Sequence, residues 1–404
     1  MCVVCVRDSF TQFVASCCGS SLENSRTSLA GMWCNKYTPT QLDAMDYHRD
    51  ATRLFISVAR AKNPPHLLVH GPRGSGRHTR ILAYIRSVYG VQTLDYIPST
   101  MLYETNTDTC EVNILSTACH LELNPSEMGN HDVFIIQTVL KETASTSSIG
   151  DKFKVVVLQD ADKLSFTAQQ ALRRLMEQYA ATCKLILVAE SISGLISPIV
   201  SRCFCIRVPG FSDEEIVHAL DTTITKHRLM PNFTKESLHT LLPEVAAVAC
   251  GDLRRAFLLL QTYQYASAKR NVSIQSLVPE WETLCTNIAS QVATARKMAI
   301  KSAEATKSGK GTKPEQSDKL EIIRTTLVEM LKKSIPADMI LAKLYEGFKD
   351  QTKGMGHRAA QILLNLADLA MEYEARLVAG SNPLYHLEAF SFSALRELIT
   401  DTSR

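Results

Sequence analysis

Hydrophobic residues follow two alternating patterns in the first half of the chain, and together these patterns predict a sheet surrounded by helices. Short apolar, β-branched runs at 66–70, 154–158 and 185–189 are typical of parallel strands buried on both faces. Apolar residues recur at helical spacing over about 131–144 and 166–180, and again after the glycine-rich loop that follows the first strand. Strands that alternate with helices indicate a doubly wound α/β domain.

The pattern changes near residue 211, where the strand signals stop. Ser212 and Glu215 occupy the N-cap and N3 positions of a capping box, and the chain beyond them is helical in pattern. We therefore predict an α/β domain over residues 32–209, a small helical domain over 210–275 and a second helical domain over 276–404.

Two segments differ in composition from these domains. Residues 1–31 lack periodicity and hold few charges, whereas Met32 opens a segment typical of a domain start. The first segment is either a disordered extension or the product of an over-long gene model. Residues 302–319 are rich in Lys, Ser, Gly and Thr and poor in apolar residues, which indicates a flexible insertion between helices.

The composition indicates a globular protein but does not by itself indicate a function. The 404 residues are 45% hydrophobic and 21% charged, which is typical of a globular protein of two or three domains. No apolar run is long enough to cross a bilayer. The formal net charge of +3 neither demands nor excludes a nucleic-acid partner. The 12 cysteines favour a reducing nuclear or cytosolic compartment, and because Cys2 and Cys5 have no second pair at zinc spacing we predict no metal site.

The loop between the first strand and its helix has the pattern of a phosphate loop. Glycines in such a loop let backbone N–H groups surround phosphate oxygens, and the helix N-terminus adds its dipole. An ordinary glycine-rich βα turn is the alternative. The residues predicted to contact the phosphates are Gly71, Pro72, Gly74, Ser75, Gly76, Arg77, His78 and Thr79.

Two positions of this loop depart from the pattern of a hydrolysing enzyme. Lys is expected at the seventh place and Ser or Thr at the eighth, but the chain has Arg77 and His78. The guanidinium of Arg77 is planar, unlike the compact ammonium of lysine. His78 replaces the hydroxyl that binds Mg²⁺, and Thr79 is rotated about 100° away on the helix. The loop therefore predicts phosphate binding without favouring Mg²⁺.

The acidic motif expected after the 154–158 strand is also altered. A typical version reads Asp-Glu-Ala-Asp, whereas this chain reads Gln-Asp-Ala-Asp over 159–162. Gln159 stands where an aspartate would hold the metal ion. Asp160 stands where a glutamate would activate water, and it is one methylene shorter. A displacement of about 1 Å at such a group can slow a reaction about a hundredfold.

Six segments together make the chain similar to the AAA+ clamp loaders, and in particular to the small subunits of replication factor C. The resemblance covers about residues 32–404, apart from 302–319. The last of the six segments resembles the subunit type numbered 3 in animals and 5 in budding yeast. Thr38 departs from the Arg of the family's Lys-Tyr-Arg-Pro box. The segments are Lys36–Pro39, Leu121–Ser126, Gln170–Glu177, Ser201–Cys203, Gly251–Ala256 and Tyr385–Phe390.

The resemblance implies an architecture and a function. It implies an AAA+ domain with a RecA-like parallel sheet, followed by a helical lid and an all-α collar domain that holds five subunits together. The implied activity is support for the ATP-dependent loading of a sliding clamp, the proliferating-cell nuclear antigen, onto primer–template DNA in the nucleus. The implied partners are four other replication factor C subunits, the clamp and DNA. ATP or ADP would be bound without efficient hydrolysis.

The resemblance also assigns roles to residues. Arg202 would be an arginine finger that acts in trans on a neighbour's ATP, whereas Glu190 stands where hydrolysing subunits have a sensor Asn. The remaining roles are nucleotide binding for Lys36, Tyr37 and Arg254, a subunit junction for Arg173, Arg174, Ser201 and Cys203, and DNA contact for Asn130, His131 and Lys163. The alternatives are a solvated helix face for Arg173 and Arg174, a polar helix residue near phosphate for His78, and a surface salt bridge for Arg202. At the sensor position Glu190 would repel a γ-phosphate or lose its charge, and the alternative is that it pairs with an adjacent basic residue.

Two other functions stay open at the level of sequence. The chain is alternatively a self-standing AAA+ ATPase that hydrolyses at its own loop with Arg77 and Asp160, or a structural scaffold in which even Arg202 has no catalytic effect. ATP hydrolysis by the isolated chain would distinguish a self-standing ATPase from a clamp-loader subunit. A fall in ATP hydrolysis when Arg202 is replaced in the assembled complex would distinguish a subunit with an arginine finger from a scaffold.

Overall fold

A computed structural model describes residues 31–104, 109–124, 131–145, 153–230, 233–267, 273–306, 315–352 and 359–400. It divides into two compact units, residues 1–277 and 278–404. Within the described ranges, no helix is both long and apolar enough to cross a membrane.

The first unit contains one seven-stranded sheet. Its strands lie in the order β2-β3-β4-β5-β6-β1-β7, and β4, β5, β6, β1 and β7 pair in parallel. Strands β2, β3 and β4 pair antiparallel, which adds a hairpin at one edge. The strands are β1 (His66–His70), β2 (Ile97–Glu104), β3 (Thr109–Ser116), β4 (His120–Leu123), β5 (Lys154–Leu158), β6 (Cys183–Ala189) and β7 (Cys203–Arg207). The α/β class and the three strands predicted from apolar runs are confirmed.

Helices cover both faces of this sheet, and the alternation of side chains along the strands explains why. Val156 and Leu158 of β5 pack into one hydrophobic layer, whereas Val155 and Val157 pack into the other. Because β5 is buried on both faces, its sequence is a continuous apolar run from Val155 to Leu158. The helices before the last strand are α1 (Trp33–Lys36), α2 (Arg49–Ala59), α3 (Arg77–Tyr89), α4 (Asp132–Ile135), α5 (Lys141–Ser145), α6 (Phe166–Gln178) and α7 (Ser197–Val200), and all except α1 lie along the sheet. A π-helical turn, Ile136–Leu140, joins α4 to α5.

Three helices complete the first unit after the last strand: α8 (Asp213–His227), α9 (Lys235–Ala249) and α10 (Leu253–Ser267). They share a hydrophobic core that also includes Trp33 and Phe211. The predicted capping box is present, because the Ser212 hydroxyl accepts from the Glu215 amide and the Glu215 carboxylate accepts from the Ser212 amide. The backbone N–H of Trp33 donates to the side chain of Gln261 at 3.0 Å, which fastens the start of the described chain to α10.

The second unit is entirely helical where the structure describes it. Its helices are α11 (Glu280–Thr306), α12 (Glu315–Lys332), α13 (Ala337–Thr352), α14 (Ala359–Ala379) and α15 (Pro383–Thr400). Helices α11 and α12 extend into both ends of the segment 302–319, where Ala, Glu, Lys and Gln are good helix formers. Residues 307–314, at the centre of that segment, lie outside the described residues, as do residues 1–30.

Loss of the capping box should destabilise the first unit measurably. Replacing Ser212→Ala leaves the backbone N–H of Glu215, in the first turn of α8, without its acceptor, and we expect a loss of about 1 kcal/mol in the free energy of unfolding. Chemical denaturation of the full chain measures this loss. Ser57→Ala, at an exposed position inside α2, is the matched control and should not lower stability. Equal effects of the two substitutions would contradict the capping role.

Candidate nucleotide-binding site and subunit junction

The glycine-rich loop connects the carboxyl end of β1 to the start of α3, as a phosphate loop requires. Gly74 and Gly76 have φ angles of 71° and 82°, a left-handed conformation that favours glycine. A Cβ atom on Gly74 would lie 1.9 Å from the carboxylate of Asp252, so the segment before α10 closes directly over the loop. The loop therefore lies between the sheet and the helical segment 210–275.

The two arginines of the loop both contact the carboxyl end of β6. Arg77 donates to the carbonyl oxygen of Ala189, and Arg73 forms an ion pair with the carboxylate of Glu190. Burial lowers the pKa of Arg77, although the negative charge of Glu190 opposes this effect. Glu190, which sequence alone left either as a repulsive charge at the phosphates or as the partner of a basic residue, here has a basic partner.

His78 bonds to a carboxylate that the sequence analysis did not identify as functional. Its Nε2 atom lies 3.1 Å from both carboxylate oxygens of Glu122 on β4. His120 Nε2 lies 3.1 Å from the same carboxylate, and the Tyr96 hydroxyl donates to it at 3.4 Å. Burial alone would raise the pKa of Glu122, but the hydrogen bonds from His120 and His78 outweigh it and lower that pKa to about 2. Glu122 is therefore ionised at neutral pH.

These residues do not fit a Mg²⁺ ion. Mg²⁺ requires oxygen ligands in a near-octahedral arrangement. The place of the hydroxyl ligand is taken by His78, whose ring is bonded to Glu122, and the place of the metal-holding aspartate is taken by the neutral side chain of Gln159. Asp160 has a left-handed backbone (φ 46°), and its carboxylate lies 3.2 Å from Lys163 Nζ. Across the described residues, no three His, Cys, Asp or Glu side chains are placed to hold a metal ion.

A second charged residue missed at the sequence level lies behind the phosphate loop. Arg80 is only 3% exposed, and its guanidinium donates to the carbonyl oxygens of Ser75, at 3.1 Å, and Tyr47, at 2.8 Å. Burial lowers its pKa to about 10, so the side chain is still a cation at neutral pH. The Tyr47 hydroxyl in turn bonds to His218 of α8. The sequence did contain a signal for this contact, because Arg80 stands next to apolar residues of α3 that are expected to be buried.

The other residues predicted to bind nucleotide also lie in the first unit. The ring of Tyr37 packs against His227 of α8, with centroids 4.3 Å apart, and Lys36 Nζ lies 5.5 Å from the Tyr37 centroid. Arg254 is exposed near the start of α10, two residues after Asp252. Thr79 follows His78 in the first turn of α3, and Pro72 lies in the loop beside Arg73.

The predicted arginine finger belongs to a different group of residues at the surface. Arg202 Nε donates to the carboxylate of Glu177 at 2.7 Å, and its Nη1 atom donates to the carbonyl oxygen of Pro198 at 2.7 Å. Arg173, on the same helix as Glu177, reaches that carboxylate at 3.5 Å. The Ser201 hydroxyl also donates to Pro198 O, and burial raises the pKa of Cys203 to about 12. Arg174 is exposed on α6.

The segments predicted to face DNA are joined by one buried carboxylate. Asp132, at the start of α4, accepts from the backbone N–H of Ser165 at 2.8 Å and from that of Val133 at 2.7 Å. It therefore connects the N-termini of α4 and α6. His131 precedes Asp132, and Lys163 bonds to Asp160 at the start of the turn before α6. Asn130 lies outside the described residues.

A parallel sheet in this strand order, with a phosphate loop after β1 and a helical segment closed over it, defines an AAA+ nucleotide-binding fold. The sequence family described as DNA polymerase III, delta subunit, matches residues 48–212, and the family described as Replication factor C subunit 3, C-terminal domain, matches residues 308–401. A solved structure of RuvB from Thermotoga maritima is 13% identical, with a TM-score of 0.46 over 78% of this chain and 90% of that chain.

Two curated relatives match almost the whole chain. A probable replication factor C subunit 3 of Dictyostelium discoideum is 36% identical over 89% of this chain and 96% of its own length. A replication factor C subunit 5 of Schizosaccharomyces pombe is 32% identical over 89% of this chain and 94% of its own length. The chain belongs to the replication factor C family of clamp-loader subunits, in the branch whose members are named subunit 3 or subunit 5.

The hydrogen bonds of His120 and His78 to Glu122 predict a pH-dependent contribution to stability. The pKa of Glu122 is about 2 in the folded protein and 4.5 in a free side chain, so its ionised form stabilises the fold by about 3 kcal/mol above pH 4.5. This contribution is lost as the pH falls through the folded pKa. Glu122→Gln should therefore be strongly destabilising at neutral pH, and the difference from the unsubstituted chain should shrink as the pH falls. Urea denaturation over this range measures it, and a constant difference would contradict the prediction.

Proposed function

We propose that the protein is a subunit of a five-subunit replication factor C clamp loader that binds nucleotide without efficiently hydrolysing it and completes the active site of a neighbouring subunit. The complex loads a sliding clamp, the proliferating-cell nuclear antigen, onto primer–template DNA in the nucleus. The observation that carries this proposal is that the residues for hydrolysis in cis are altered while Arg202, for action in trans, is retained.

The contacts at the loop support the absence of hydrolysis in cis. Arg77 bonds to a backbone carbonyl and His78 to a buried carboxylate, so neither side chain reproduces the Lys and hydroxyl of a hydrolysing loop. Gln159 carries no charge to hold a metal ion, and Asp160 is paired with Lys163. The bound ATP or ADP would then act as a structural ligand between the sheet and the lid, 210–275.

The surroundings of Arg202 support a role in trans. Its side chain is 33% exposed, and the carboxylate of Glu177 holds it at the surface beside Arg173. An ion pair at such an exposed place is worth only about 0–1 kcal/mol, so a neighbour's γ-phosphate can replace the carboxylate at little cost. An arginine finger accelerates phosphoryl transfer by about 10³–10⁵-fold. The same side chain can therefore be a surface salt bridge in one state and a catalytic residue in another.

Contact with DNA would be restricted to the phosphate backbone. His131 and Lys163 lie at the N-terminal ends of the segments that Asp132 joins, where backbone N–H groups and cationic side chains favour phosphate. Such contacts carry no sequence information, which suits a complex that acts at any primer–template junction. Helices α11–α15 would form the collar that joins this subunit to the four others.

The role of Arg202 can be tested in the reconstituted five-subunit complex. We expect Arg202→Ala to reduce DNA-stimulated ATP hydrolysis partially, because one site slows about 10³-fold or more while the other sites continue. Arg202→Lys should also be impaired, because a lysine cannot reproduce the planar, bidentate contact. Steady-state phosphate release measures both variants.

The control is Arg53→Ala, which removes an exposed arginine paired with Asp50 on α2 and should leave hydrolysis unchanged. An Arg202→Ala complex that hydrolyses ATP at the normal rate would contradict the finger role and leave a structural scaffold. Steady hydrolysis by the isolated chain that disappears on Asp160→Ala would instead establish a self-standing ATPase.

A further inference from the structure

The eighth position of the phosphate loop carries an imidazole that is already bonded to a buried anion. His78 is the second residue of α3, where a hydrolysing loop presents a hydroxyl to Mg²⁺. Its Nε2 atom lies 3.1 Å from both oxygens of Glu122, whose side chain is 6% exposed, whereas 41% of the His78 side chain is exposed. The imidazole therefore lies between a buried carboxylate and solvent.

The bond between His78 and Glu122 determines which nitrogen of the His78 ring can contact a ligand. Ionised Glu122 can only accept hydrogen bonds, so Nε2 of His78 carries a proton and donates. A second proton on Nδ1 then makes the ring a cation. A phosphate group bound at the loop would accept a hydrogen bond from the Nδ1 proton and pair with the cation.

The neighbouring charges also favour a response of His78 to an anion. Glu122, which bonds to His78, also bonds to His120 of β4 and to Tyr96 before β2. Arg77, one position before His78, interacts electrostatically with Arg73, Asp160, Asp162 and Glu190. Glu190 is paired with Arg73, and Asp160 with Lys163, so Glu122 is the carboxylate that bonds to His78.

We propose that His78, held by Glu122, takes the place of Mg²⁺ at this site, so that ATP or ADP binds without a divalent cation and binding takes up a proton on the imidazole. The inference rests on the proposed function only in that the loop binds a nucleotide. It assigns to Glu122 the role of a positioning residue and to His78 that of a direct phosphate ligand.

Proton uptake on binding fixes the direction of the pH dependence. If the bound state holds one more proton than the free state, affinity rises as the pH falls through the range in which imidazole titrates. The two ways of binding can therefore be told apart by experiment. A loop that requires Mg²⁺ releases its nucleotide when a chelator removes the metal ion. This loop should keep its nucleotide in a chelator, and its affinity for the nucleotide should fall as the pH rises.

The full-length chain can be tested with a fluorescent ADP analogue, N-methylanthraniloyl-ADP, by fluorescence anisotropy. We expect equal affinity in magnesium chloride and in EDTA, and binding at least about fivefold tighter at about pH 6 than at about pH 8. His78→Ala should weaken binding and retain only the pH dependence of the nucleotide itself. His78→Lys, a permanent cation, should keep the affinity in EDTA and, like His78→Ala, retain only the pH dependence of the nucleotide itself. His239→Ala, an exposed histidine on α9, is the matched control and should match the unsubstituted chain.

Three results would overturn the inference: loss of binding in EDTA, a pH dependence that His78→Lys leaves intact, or no nucleotide binding under any condition. The first two results leave the proposed function intact, because assembly and the effect of Arg202 on the complex are measured separately. The third result would also contradict nucleotide binding by this subunit, but not its action in trans through Arg202. Conversely, a chain that binds nucleotide in this way but fails to join the other subunits would contradict the proposed function and leave this inference standing.

Discussion

The parallel arrangement of β1, β4, β5 and β6 is the constraint on which the site depends. Parallel strands all end at one edge of a sheet, so segments that are far apart in sequence meet there. The phosphate loop follows β1, Glu122 lies near the end of β4, Gln159 follows β5 and Glu190 follows β6. The altered positions of the nucleotide site are therefore gathered at one edge, where Arg73 and His78 of the loop region reach carboxylates from other strands.

The contacts at this edge show how the charges are satisfied without a metal ion. Arg73 pairs with Glu190, His78 with Glu122, and Asp160 with Lys163. A buried or half-buried charge without a partner destabilises a protein. A charged side chain introduced at one position therefore favours a compensating contact with an opposite charge at another. Arg80 differs, because its guanidinium is bonded to backbone carbonyls and holds the loop to the segment before α2.

The contacts of Arg202 are governed by a different constraint, which is that its side chain is partly exposed to solvent. Glu177 and Pro198 hold the guanidinium through hydrogen bonds at a position where solvent weakens the ion pair. The arrangement is stable enough to order the side chain and weak enough to exchange its partner. Arg173 bonds to the same carboxylate, so Glu177 contacts both the predicted arginine finger and one residue predicted to lie at the subunit junction.

The sequence by itself determined the α/β class, the buried strands, the capping box at Ser212 and the glycine-rich loop, because each depends on residues close together along the chain. It also identified Arg77 and His78 as departures from a hydrolysing loop. Only the tertiary structure decided the partners of those residues. Glu122, which lies 44 residues from His78, stands in a short strand whose pattern does not distinguish a buried carboxylate from an exposed one. Its role follows from strand order, since β4 and β1 are brought to the same edge only by the folding of the whole sheet.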